Sequence, residues 1–284
     1  MISPAARGLF RRAIAESGPI LGPTRTLAEQ EQSGLEYARG WGADNLKALR
    51  GLPAERILAS TTVASVGRSQ PVIDGKYIPD EPARMFAQGK QAPVAFLLGA
   101  NSFEASLMAM LHISAANLAA AAHADPERLS EVYGPDPQKQ GEGLFMDGGF
   151  LAPMRFLAAQ MEKVHQPAYL YYFSYVATRR RGRAEGVPHG GEIPFVFDNL
   201  TGPLAAFATP GDREMARTVS GCWVRFAKTG TPGMADAVEW PAYTTAADDW
   251  FDLGSPIAVR PHFRKNSLDI LETFFRLRMG IAAQ

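Results

Sequence analysis

The sequence has 284 residues, a length that is compatible with one or two domains. Hydrophobic residues make up 46% of it, which is enough for a large core. Its 29 basic and 29 acidic residues give a formal charge of zero. This balance argues against nucleic acid or an anionic membrane as the main partner, because both select a basic surface. No run of about 20 apolar residues predicts a transmembrane segment. The single cysteine, Cys222, excludes an intramolecular disulfide framework and is predicted to be a packed small side chain.

The N-terminal third is predicted to contain one short strand and several short helices. Residues 6–14 have the pattern of a helix end that continues into a short strand, which the Ser17-Gly18-Pro19 sequence breaks. From 26 to 59 the spacing of apolar residues predicts two or three short helices, because glycines divide the stretch. The segment 71–82 has turn chemistry centred on Asp74-Gly75.

Two segments in the middle of the chain carry strong strand signals. Residues 93–98 (PVAFLL) form a nearly continuous apolar run, which is typical of a strand buried on both faces. Residues 168–176 (AYLYYFSYV) are rich in aromatic and β-branched side chains, which favour a pleated sheet. The stretch 103–165 between them is predicted to be mostly helical, with breaks at Asp125-Pro126 and Gly134-Pro135.

The C-terminal third begins with a basic run at 179–183, which we interpret as a solvated loop because it is too short for a nucleic-acid patch. An amphipathic helix is predicted over 215–228, a final edge strand over 250–259 and a closing helix over 267–279. Strands separated by long helical stretches indicate an α/β fold with a largely parallel sheet, of which about three strands are recognisable.

Two loops that follow predicted strands carry candidate chemistry. The loop 99–104 ends in Glu104, and the loop 186–192 contains His189 between a proline and two glycines. Loops beyond the carboxyl ends of parallel strands gather at one sheet edge, so Glu104 and His189 are expected to meet there. Taken singly, a capping glutamate and an ordinary histidine stay open as alternatives. No H-E-x-x-H, C-x-x-C or phosphate-loop pattern occurs, so no metal or cofactor is predicted.

Several segments, in order along the chain, resemble the type-B carboxylesterases, a family that includes the cholinesterases. The matching segments are SPAARGLF and RAIAESG (3–18), PVIDG with IP (71–79), GANSFE (99–104), VPHGGEIPFVF (187–197) and WVRFAKTG (223–230). Phe103 and Ala105 depart from this family's pattern, which usually has an acidic residue and a glycine around the glutamate.

The resemblance implies the C-terminal part of an α/β-hydrolase fold with a Ser-His-Glu triad that hydrolyses a small-molecule carboxylic ester. By position, Glu104 would be the triad acid and His189 the general base, and no cofactor is needed. The substrate pocket would be lined by residues 26–65 and 105–165. The apolar side chains of 107–111 fit either an apolar pocket or ordinary helix packing.

The nucleophile elbow G-x-S-x-G occurs nowhere in the sequence. By the family pattern it is expected about ten residues before Met1. Residues 1–284 are therefore expected to be a partial α/β-hydrolase domain, inactive alone unless a missing N-terminal part complements it. Ser17 and Ser102 lack the elbow setting, and Ser17 is expected to form a hydrogen bond near the site. A non-catalytic binding or adhesion homologue and an unstable gene remnant stay open as alternatives. No leader sequence is visible, and the compartment is left open.

Overall fold

The computed structural model describes residues 1–18, 22–59, 70–115, 117–118, 126–202, 206 and 208–282. Within these residues a five-stranded sheet has the order β1-β2-β3-β6-β7, and a separate two-stranded ribbon pairs β4 with β5. The first four strands of the sheet are parallel and β7 is antiparallel to β6. The strands are β1 (Arg12–Glu16), β2 (Ala95–Asn101), β3 (Ala168–Phe173), β4 (Met234–Ala235), β5 (Val238–Glu239), β6 (Asp249–Leu253) and β7 (Ala258–Pro261).

Helices connect these strands and cover both faces of the sheet. The α-helices of the described chain are α1 (Leu27–Gly40), α2 (Leu46–Arg50), α3 (Ala54–Ala59), α4 (Pro82–Ala87), α5 (Ser106–Met110), α6 (Pro126–Tyr133), α7 (Pro137–Met146), α8 (Ala152–Lys163), α9 (Ile193–Val196), α10 (Pro210–Thr229) and α11 (Lys265–Arg278). A π-helical turn, Asp147–Leu151, joins α7 to α8. Short 3-10 helices span Pro4–Ala6 and Thr178–Arg180.

The sheet separates two apolar cores. Leu98 and Leu170 point to the first core, where they pack with Phe156 of α8 and Phe275 of α11. Side chains that alternate with these along the same strands point to the second core, which is built around α10. Because β2 and β3 contribute to both cores, their sequences are apolar without alternation. The predicted α/β class and largely parallel sheet are confirmed.

The predicted single edge strand over 250–259 is wrong. The structure has a hairpin instead, in which β6 pairs with β3 on one side and with β7 on the other. Gly254-Ser255-Pro256 lies at the turn, where Pro256 has no N–H to continue the ladder. At this end of the sheet β7, and not β6, is the edge strand; in the described residues the sheet has five strands where the sequence indicated about three.

Other element bounds differ by a few residues for local reasons. The helix end expected from residue 6 is a single 3-10 turn that finishes at Ala6, and the following strand extends to Glu16. Helix α10 begins at Pro210, before the predicted start at 215, because Thr209 and Asp212 form a capping box. The predicted break at Asp125 lies outside the described residues.

Two smaller predictions are confirmed. Asp74 forms the expected turn, since its carboxylate accepts hydrogen bonds from the N–H groups of Lys76, Tyr77 and Ile78 at 2.8–2.9 Å. The thiol of Cys222 is fully buried among the side chains of the second core, and burial raises its pKa. None of the described helices is long and apolar enough to span a membrane.

Candidate active site

Glu104 and His189 meet at the carboxyl edge of the sheet. Strands β2 and β3 are parallel neighbours that end together, with Asn101 opposite Phe173. Glu104 lies three residues beyond β2, and the loop after β3 returns over this edge to place His189 beside it. The His189 Nδ1 atom lies 2.7 Å from Glu104 Oε2. The contact expected from the loop positions is therefore present, although the two residues are 85 positions apart.

The carboxylate of Glu104 is completely buried and every hydrogen-bond partner near it is a donor. Its Oε1 atom accepts a hydrogen bond from the hydroxyl of Ser17 at 2.5 Å and one from the backbone N–H of Asn101 at 2.7 Å. Its Oε2 atom faces His189. These donors offset the cost of burying the negative charge and hold the carboxylate in one orientation.

The backbone joins the two loops directly. Phe103 donates its N–H to the carbonyl of Val187 at 2.9 Å, and the N–H of Val187 donates to the hydroxyl of Ser102 at 2.8 Å. An isolated parallel bridge pairs Phe103 with Pro188. The position where the family usually has an acidic residue therefore contributes backbone pairing here, which does not depend on its side chain.

The loop around His189 is tightly packed, which accounts for its glycines. A Cβ atom at Gly191 would lie 2.7 Å from Val187 Cγ1 and 2.8 Å from the carbonyl oxygen of Pro188. Gly190 has a φ of +73°, a conformation that favours glycine. The N–H of His189 donates to the hydroxyl of Ser106 at 2.9 Å. The backbone of this loop is therefore held from several sides.

A second buried acid, Glu192, belongs to the same cluster and was not singled out from the sequence. Asn101 donates from Nδ2 to the carbonyl of Pro188 at 3.0 Å and to the Glu192 carboxylate. Burial raises the pKa of Glu192; the Asn101 hydrogen bond opposes this, and the nearby negative charges of Glu104 and Glu16 add to it. The only sequence signal was the position of Glu192, three residues after His189 in the same motif.

The imidazole of His189 is held on one side and open on the other. Its ring lies 6.3 Å from the ring of Phe150, which the π-helical turn presents to it. The side chain is 38% exposed, and no described residue forms a hydrogen bond with its Nε2 atom. The arrangement can accept a proton at Nε2 while Nδ1 stays bound to the carboxylate.

The two serines near the site are bound to other groups, as expected for structural residues. The hydroxyl of Ser17 donates to Glu104, and the hydroxyl of Ser102 accepts from Val187. Ser17 directly follows β1 and has a φ of 49°, and its hydroxyl reaches the Glu104 carboxylate. The expectation of a Ser17 hydrogen bond near the site is confirmed.

An apolar cavity lies between α6, α7 and α11. It has a volume of about 600 Å³, and its walls include Leu144, Phe145 and Phe274. Of the side chains considered for a pocket, Leu107 and Met108 are buried, whereas Met110 and Leu111 are exposed and none of these four lines this cavity. Residues 60–65, 116 and 119–125 of the predicted lining lie outside the described residues. The described chain also contains no cluster of side chains able to hold a metal ion.

A parallel sheet covered on both faces by helices, with an acid and a histidine on adjacent loops at its carboxyl edge, defines an α/β-hydrolase. The sequence profile of the Carboxylesterase family matches residues 1–271, and the chain belongs to this family. The resemblance seen in its motifs is thereby confirmed.

Named relatives agree with this assignment. The chain is 27% identical over 283 residues to para-nitrobenzyl esterase of Bacillus subtilis, covering 90% of this chain and 55% of that protein. It is 27% identical to Homo sapiens carboxylesterase 5A, covering 86% of this chain and 48% of that protein. With the acetylcholinesterase of Bungarus fasciatus it shares 28% identity, covering 93% and 51%.

A solved structure of PNB esterase superimposes with a TM-score of 0.72 and 26% identity, covering 98% of this chain and 59% of that one. This similarity confirms the α/β-hydrolase fold. The chain thus spans about half the length of the curated relatives that it matches.

Proposed function

We propose that this chain contributes the acid and the base of a serine-type carboxylic ester hydrolase, with Glu104 as the orienting acid and His189 as the general base. The observation that carries the proposal is the 2.7 Å contact between His189 Nδ1 and a fully buried Glu104 carboxylate. Membership of the Carboxylesterase family supports the reaction class. The substrate would be a small-molecule carboxylic ester.

The contact between His189 and Glu104 determines which ring nitrogen of the neutral imidazole carries the proton. A carboxylate only accepts, so the neutral imidazole carries its proton on Nδ1 and leaves a lone pair on Nε2. That lone pair can take the proton of a serine hydroxyl as its oxygen attacks an ester carbonyl. The imidazolium then lies against Glu104 and returns the proton to the leaving alcohol. A water molecule, deprotonated at the same Nε2, would release the acid product.

The nucleophile is proposed to come from sequence outside these 284 residues, as part of a longer chain or on a second polypeptide. The sequence lacks G-x-S-x-G, and the hydroxyls of Ser17 and Ser102 are bound to groups other than His189. Under this proposal residues 1–284 form a partial domain that hydrolyses no ester alone. Oxyanion donors, each worth about 10²–10³ in rate, would come from the same outside segment.

The test compares the chain alone with a hybrid in which the N-terminal half of Bacillus subtilis para-nitrobenzyl esterase precedes residue 1. We expect p-nitrophenyl butyrate hydrolysis by the hybrid and only the buffer rate from the chain alone. His189→Asn should lower the hybrid's rate by at least about 10³-fold. His165→Asn is the matched control, because His165 is exposed and lies at the opposite end of β3.

Three results would contradict the proposal. The first is turnover by the chain alone that His189→Asn abolishes, because a nucleophile would then lie within these residues. The second is a folded hybrid that does not hydrolyse the ester. The third is a folded hybrid whose rate is unchanged by His189→Asn. If the hybrid does not fold, a measurement on the chain alone tests the proposal instead. Long-range ¹⁵N NMR should show the Nδ1–H tautomer for His189, and Glu104→Ala should remove that preference.

A further inference from the structure

The basic run at 179–183, predicted to be a solvated loop, borders a cavity that the proposed ester chemistry does not use. This second cavity has a volume of about 420 Å³ and lies between the loop after β3, the loop of His189 and the start of α10. Its walls are mostly apolar and include Tyr175, Val176, Val187, Pro188, Phe195 and Leu200. A concave apolar site of this size matches the range in which proteins bind small molecules.

Three arginines of the basic run, Arg179, Arg180 and Arg183, line this cavity, and Arg180 and Arg183 are the two considered as ligand-binding groups. Both side chains are exposed, and neither has a hydrogen-bond or ion-pair partner in the part of the chain that the structure describes. Arg181 differs, because its Nε atom donates to the carbonyl of Val176 at 3.1 Å and its guanidinium lies over the ring of Tyr175. Of the four arginines in the run, Arg180 and Arg183 are therefore the two whose donors are available to a ligand.

Asp212, the acidic residue in the lining of this cavity, does not form an ion pair with Arg180 or Arg183. Asp212 is 1% exposed, and its Oδ1 atom accepts three hydrogen bonds at 2.9 Å from Tyr175 and Thr178. Its Oδ2 atom accepts two more from Thr209, at 2.7 and 2.8 Å. Both oxygens of this carboxylate are therefore already hydrogen-bonded within the protein. Among the described residues, the positive charges of Arg180 and Arg183 are left unpaired at the cavity.

We propose that this cavity binds an aliphatic carboxylate of medium chain length, with its chain between the apolar walls and its head group on Arg180 and Arg183. The planar guanidinium fork matches a carboxylate geometrically, and charge-assisted hydrogen bonds of this kind are among the strongest in proteins. Val187 and Pro188 line the cavity and immediately precede His189. A bound ligand would therefore pack against the loop that carries the proposed base.

The test is calorimetric titration of the purified chain with octanoate. We expect a dissociation constant below about 1 mM and at least ten-fold weaker binding of 1-octanol, which has the same chain without the charge. Replacing both rim arginines, Arg180→Gln with Arg183→Gln, should weaken octanoate binding by about ten-fold or more. Arg217→Gln, which removes an exposed arginine of α10 that does not line the cavity, should change it by less than two-fold.

A competing site makes the experiment decisive. The cavity between α6, α7 and α11 also has arginines in its lining, Arg128 and Arg278, and Arg128 is the one replaced in the test. Octanoate binding that Arg128→Gln weakens and the double rim variant leaves unchanged would overturn the proposal. So would the absence of octanoate binding to the folded chain, or equal affinity for 1-octanol. Ala177→Leu, which fills the proposed cavity, should block octanoate while the tryptophan fluorescence shows a retained core.

Discussion

Asp212 offers a quantitative test of how the chain after β3 is attached to helix α10. Its carboxylate caps α10 through Thr209 and also binds Thr178 and Tyr175 of the preceding loop. Burial by itself would raise the pKa of Asp212, but the hydrogen bonds from Thr178, Thr209 and Tyr175 lower it from 3.8 to about 2. The substitution Asp212→Asn keeps the size of the side chain and removes its charge.

The magnitude follows from the two pKa values. A group whose pKa is lower in the folded state stabilises the fold above its unfolded pKa and loses that contribution as the pH falls through its folded pKa. For Asp212 the contribution is about 2 kcal/mol at neutral pH. Nearly all of it is still present at pH 5, and about 1 kcal/mol is lost by pH 3. Asp212→Asn should therefore destabilise the protein by about 2–3 kcal/mol at neutral pH.

The assay is urea unfolding at neutral pH, pH 5 and pH 3, followed by the fluorescence of the buried tryptophans 223, 240 and 250. Asp198→Asn is the matched control, because Asp198 is exposed and has a φ of 46° that asparagine also tolerates. Between pH 5 and pH 3 the wild type should lose about 1 kcal/mol more stability than Asp212→Asn. Equal losses in wild type and Asp212→Asn would refute the reasoning, as would an equal cost of both substitutions at neutral pH.

Three further predictions concern the site and the sheet. Asn101→Ala leaves the buried carboxylate of Glu192 without its side-chain donor and should cost about 2–4 kcal/mol in urea unfolding; a cost below about 1 kcal/mol would show that these hydrogen bonds contribute little. In Gly99→Ala the new methyl group would overlap the backbone and ring of Tyr171, so this variant should abolish soluble expression. Gly34→Ala, where helix α1 has free space around the glycine, should instead stabilise the chain by about 0.5–1 kcal/mol. Equal thermal stability of the two variants would contradict this prediction. Because burial raises the pKa of Glu192 above 4.5, its contribution to stability is present below that pH and is lost as the pH rises through the folded pKa. Wild type should therefore lose stability relative to Glu192→Gln between pH 4.5 and neutral pH, and a constant difference in unfolding midpoint would disprove the shift.

The surroundings of Glu104 show how far the loops could be interpreted from sequence. The expectation that Glu104 and His189 meet depended only on two neighbouring parallel strands whose loops share one edge. A Ser17 hydrogen bond near the site was expected, but its acceptor was not predicted, because Ser17 follows β1 and lies 87 residues from Glu104 along the chain. That contact requires β1 to lie beside β2, and no local sequence pattern predicts the order of the strands in the sheet.

The sequence by itself determined the α/β class, the two central strands and the loops that carry Glu104 and His189, because continuous apolar runs and glycine-rich turns are local signals. Only the tertiary structure decided that β6 is internal, that Glu192 joins the buried acid cluster and that the basic run borders a cavity. Each of these depends on which segments become neighbours after the sheet has formed and its two faces have been covered. Such contacts join residues far apart in the chain, and their energies depend on a register and a burial that no single segment encodes.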